Sequence, residues 1–97
     1  MRTTRLLLER VLVNGHEVVT SYADVFVVLR DGANVPGPND WEVTARSADL
    51  IALEPGKHRL QLVGLDGTTL TGQAFLRFCD GNRLLFRGDD ELAGFDG

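Results

Sequence analysis

The 97-residue chain has a single cysteine, Cys79, so no disulfide can close within it. A small scaffold held together by bridges is thereby excluded. One cysteine and two histidines also fall short of the four ligands of a typical structural zinc site. No apolar run approaches the roughly 20 residues of a membrane-spanning helix. The opening Met1-Arg2-Thr3-Thr4-Arg5-Leu6-Leu7-Leu8 begins like a secretion signal, but Glu9 and Arg10 end its apolar run after three residues. The expectation is a cytoplasmic protein without membrane association. Basic residues are also in the minority: Lys and Arg number 10 against 14 Asp and Glu, for a net charge of −4. That sign disfavours binding to duplex nucleic acid. Phosphate-cradling glycine loops are missing, and no segment has the alternating oxygen ligands of a calcium loop. No cofactor or metal is expected.

What is present is a rhythm of turn signals: Asn14-Gly15, Asp31-Gly32, Pro36-Gly37-Pro38, Glu54-Pro55-Gly56-Lys57, Asp66-Gly67 and Asp80-Gly81. Between them lie runs rich in Val, Leu, Thr and Phe, the pattern of short strands joined by hairpins. Strands are expected at about 4–13, 16–30, from Trp41 onward, 58–65, 69–79 and 83–87. The second should bend near Tyr22-Ala23-Asp24. Residues 47–53 read either as a resumed strand, which is favoured, or as a helical turn capped by Ser47. Residues 1–97 should form one all-β domain of about six strands in meander order, either a small antiparallel barrel or a two-layer sandwich. The acidic tail 89–97 carries Leu92 and Phe95, which can pin it to the domain.

Apolar patterning suggests the pairing of the last three strands, because a one-residue slip would invert every side chain. Three-residue loops at 66–68 and 80–82 keep apolar opposite apolar. They set Leu60 against Ala74, Leu62 against Gly72, Leu76 against Phe86 and Phe78 against Leu84. On the opposite face, Arg59 then lies beside Phe75 and Phe75 beside Arg87, with Arg77 and Leu85 in the next row. An exposed ring flanked by guanidiniums suits an acidic protein partner, because the arginine fork binds two oxygens. Arg59, Phe75, Arg77, Leu85 and Arg87 are the expected partner-binding residues. In the first hairpin, an Asn14-Gly15 turn pairs Val11 with Val18 and leaves both faces apolar. A second subunit or a closed barrel would cover the surplus, so a homodimer is also expected.

Catalytic chemistry finds little support. No local pattern ties Cys79 to His16 or His58, and Ser47, Asp49 and His58 form only a nominal trio. The expected function is therefore a non-catalytic interaction or accessory module. The alternatives are a small-ligand barrel using the 31–41 loop with Tyr22 and Trp41 as walls, and a weak single-strand nucleic-acid binder on Phe75 and its arginines.

Overall fold

The computed structural model describes residues 2–29, 40–49 and 53–95, and every regular element among them is a strand. These are β1 (Arg2–Val13), β2 (His16–Val18), β3 (Thr20–Leu29), β4 (Trp41–Ser47), β5 (Gly56–Gly64), β6 (Thr69–Asp80) and β7 (Arg83–Gly88). Hydrogen bonding runs in the order β2-β1-β3-β4-β7-β6-β5, and β5 returns to β1. The sheet is thus a closed antiparallel barrel of six strands, with β2 an extension of β3 beyond a break at Val19. Closure decides between barrel and sandwich. The meander holds from β1 to β4 and from β5 to β7. The connection after β4 skips its neighbour, so β7 lies on β4 and β5 lies on β1.

The first turn forms as its chemistry requires: Asn14 and Gly15 both have positive φ, 53° and 85°, the signature of a type I′ hairpin. Val11↔Val18 pairs as expected, with Leu12↔Glu17 between it and the turn. The bend expected near residues 22–24 lies earlier, at Val19, with a register shift between Thr20 and Tyr22. Beyond it Leu7 pairs with Asp24, two residues further along than the register of the first turn would give. Residues 48, 49 and 53 are not strand, so the favoured strand does not resume there; residues 50–52 and most of the 31–41 loop lie outside the described residues.

A bulge between Leu8 and Arg10, in the pairing of β1 with β5, re-phases β1, so that Leu8 and Val11 both point inward. This explains the two-sided apolar pattern of the first hairpin. Leu8, Val11 and Val13 line the interior with Val25, Val27, Val43, Leu60, Leu62, Leu70, Leu84 and Phe86. Leu7 and Val19 stay outside, 48 % and 64 % exposed.

Trp41 fills the barrel interior next to the C-terminal tail. It is 1 % exposed, and its indole N–H donates to the Asp90 carbonyl at 2.8 Å. Gly72 and Gly88 make room for the ring: a Cβ on either would come within 2.7 or 2.4 Å of it. Gly72 thus serves packing against Trp41, and its strand partner is Leu60 rather than the expected Leu62. The acidic tail belongs to the barrel. Thr71 and Ala93 exchange backbone bonds of 3.0 and 2.8 Å, Asp89 N donates to Gln73 O, and Leu92 is 1 % exposed.

Candidate functional site on the outer face of β4, β7 and β6

Two turns place the side chains of this face, and both differ from the expected loops. Between β5 and β6 the loop is Leu65-Asp66-Gly67, with Gly64 N bonded to Thr68 O and Gly67 N to Gly64 O. Gly67 has φ +90°, the left-handed position that ends a three-residue hairpin loop. A loop over 66–68 would have required that conformation of the β-branched Thr68. The pairing therefore slips by two residues, which preserves faces but changes partners. Leu60 pairs with Gly72, Leu62 with Leu70, and Phe75 with Lys57. Arg59 lies opposite Gln73 and does not flank Phe75.

Between β6 and β7 the loop has two residues, Gly81-Asn82, closed by Asp80↔Arg83. Gly81 has φ +64° at the first central position, as a type II′ hairpin requires. The expected register survives nearer the strand centres, at Phe75↔Arg87 and Leu76↔Phe86. The mismatch is absorbed by a bulge at Arg77, after which Phe78 pairs with Leu85 and Cys79 with Leu84. Phe78 is consequently on the outside, 39 % exposed, rather than inside against Leu84. Cys79 shares the inner row with Leu84 but sits at the strand end, where it is exposed.

The bulge thus gathers Phe75, Arg77 and Phe78 on one outer surface. Phe75 is 40 % exposed, with Lys57 Nζ 5.4 Å from its ring centroid. Lys57 also pairs with Asp89 at 2.8 Å. Arg83 lies 5.4 Å over the Phe78 ring. A groove of about 280 Å³ is lined by Glu42, Arg77, Leu85 and Arg87. Arg87 is already engaged: Nη1 donates to Glu42 Oε1 and Nη2 to Asp40 Oδ1, each at 2.8 Å. Arg77 and Arg46 make no ion pair among the described residues. Of the five expected partner-binding residues, the fold brings together Phe75, Arg77, Leu85 and Arg87 and leaves Arg59 aside. Phe78, Lys57 and Glu42 were missed. The dipeptide Gly81-Asn82, a two-residue hairpin signal, could have revealed Phe78.

The two expected ligand walls do not meet. Trp41 is inside, whereas Tyr22 is on the outer surface, 45 % exposed. Its phenol donates to Asp24 Oδ2 at 2.5 Å, and Arg5 Nε lies 3.5 Å from the same oxygen. The Tyr22 pKa is held above its ordinary value, first because the phenol proton is donated to Asp24, then by partial burial and the carboxylate's charge. This arrangement satisfies Asp24, which is 7 % exposed on an outward-facing position.

The nominal catalytic trio is occupied elsewhere. Ser47 Oγ donates to the Asp49 backbone carbonyl. His58 is buried, accepts at Nδ1 from Asn14 Nδ2 (2.9 Å) and donates from Nε2 to the Glu54 carbonyl (2.6 Å). Arg59 N donates to Asn14 Oδ1 at 3.0 Å, which turns the amide nitrogen toward the ring and selects this tautomer. His58 therefore ties β5 to the first turn. No cluster of three potential metal ligands occurs among the described residues. The chain matches no protein-family model, no curated protein and no solved structure.

Proposed function

We propose that this barrel is a non-catalytic protein-interaction module whose contact surface is the outer face of β4, β7 and the second half of β6. The supporting observation is the bulge at Arg77. A continued strand would have turned Phe78 inward, where full burial of such a side chain stabilises by about 1.5–3 kcal/mol. The fold gives up much of that gain and places two phenylalanines beside a groove. An exposed cluster of large apolar side chains is the informative exception on a surface, and aromatic and Arg residues are those that dominate binding energy. The test is affinity capture with the wild-type protein and with F75A/R77A/F78A, after both are shown to unfold cooperatively well above the assay temperature. Partners retained by the first and lost by the second support this reading. Identical captures refute it.

Self-association is a second reading, favoured by Leu7 and Leu65. They are 48 % and 64 % exposed, and they adjoin, with Leu65 N donating to Leu7 O at 3.1 Å. Light scattering at micromolar concentration tests it. A dimer mass that falls to monomer in L7K/L65K supports it, and a monomeric wild-type protein refutes it.

A further inference from the structure

The charges on this face point to the chemistry of its partner; the inference rests on the face being a docking surface. The outer rows of β4, β7 and the bulged end of β6 carry Arg46, Arg77, Arg83 and Arg87, and Glu42 and Asp80 are the acids among them. Glu42 is taken by Arg87, which also holds Asp40. Arg77 borders the groove and has no carboxylate partner among the described residues. Arg46 and Arg83 are likewise without one, and they lie directly opposite each other on β4 and β7. This surplus of guanidinium stands on a chain whose net charge is −4. A second copy docked isologously here would bring the same arginines together, and like charges at a contact are unfavourable.

We propose that the occupant is a short acidic peptide segment. One apolar side chain rests on Leu85 between Phe75 and Phe78, and a neighbouring carboxylate takes the open fork of Arg77. A groove of about 280 Å³ is of a size to take one large side chain. Arg–carboxylate pairing supplies direction, and the apolar contact supplies most of the affinity. A nucleic-acid strand is less well suited, because its continuous phosphates would meet Glu42 and Asp40 next to the groove.

Selection of a phage-displayed random twelve-residue library against the immobilised full chain tests this. The expected result is enrichment of net-negative sequences carrying an aromatic or large aliphatic residue. Their binding should fall at least tenfold with R77A and at least tenfold with F78A, and should weaken as salt rises. R59A should leave it within twofold. Enriched peptides that are neutral or basic yet lose binding with F75A or F78A would overturn the acidic partner while keeping the docking face. Peptides indifferent to all of these substitutions, or no enrichment at all, would overturn both. A twelve-nucleotide oligothymidine that binds at micromolar concentration and is lost with R77A would assign the face to nucleic acid instead.

Discussion

Substituting Gly88 by alanine tests the packing of the barrel interior most sharply. The Gly88 backbone conformation is open to any residue, so the perturbation is steric alone. The added Cβ would lie 2.4 Å from Trp41 Cε2 and Nε1 and 2.6 Å from Cδ2, against the roughly 3.5–4.0 Å of relaxed carbon contacts. The ring has nowhere to retreat. It is 1 % exposed, bonded to the Asp90 carbonyl, and so close to Gly72 that a Cβ there would lie 2.7 Å from Cζ2. Overpacking of a core costs typically 1–3 kcal/mol, and a rigid, enclosed partner sets the upper end, about 3 kcal/mol. For a domain of this size that lowers Tm by roughly 12–24 °C. Urea unfolding followed by far-UV circular dichroism should show the midpoint falling at an unchanged slope. In a W41A background, where the clashing ring is gone altogether, the same substitution should cost less than about 1 kcal/mol, a non-additivity expected of contacting residues. A loss below about 0.5 kcal/mol for G88A alone, or equal losses in both backgrounds, would refute this packing.

Three further outcomes follow from the same geometry. D24N should return the Tyr22 phenol toward its ordinary pKa; ultraviolet titration of the chain's one tyrosine reads this directly, and an unchanged midpoint would remove the Tyr22–Asp24 bond. The Asp66 carboxyl is held below its ordinary value because the Thr68 N–H and hydroxyl bond it. Its contribution is therefore complete above the ordinary Asp value of about 3.9 and is lost as pH falls through the lower folded value. Wild type and D66N should differ in stability at pH 7 and converge near pH 2, and a difference that persists at pH 2 would contradict the bond. L92A should cost about 2–5 kcal/mol, as for a buried leucine, whereas a loss under about 0.5 kcal/mol would make the tail an appendage.

The alternation of apolar residues made the barrel's inner surface legible, as in Trp41, Val43 and Ala45, and Asn14-Gly15 made the first turn legible. Closure was less so, because nothing local says that β5 lies against β1 across about fifty residues. Registers failed where apolar matching outweighed turn stereochemistry. Gly67 and Gly81 each needed a particular loop position, and ignoring that cost two residues of register at one turn and hid a bulge at the other. The bulge at Glu9 was equally invisible, and its effect was read as surplus apolar surface that a second subunit or a closed barrel would cover. The candidate face was therefore found in outline, through Phe75, Arg77, Leu85 and Arg87. Its second ring and its true cation, Lys57, depended on those turns.

The central claim is that Phe75 and Phe78 face outward and do not hold the barrel together. Thermal and urea unfolding of F75A, F78A and the double variant tests it most directly. Each single loss should be no more than about 1 kcal/mol, the trimming of a partly shielded ring, and the double variant should unfold cooperatively within about 2 kcal/mol of wild type. A loss of about 3–5 kcal/mol for either substitution, the size seen when a buried phenylalanine is removed, would put that ring in the core and contradict the account.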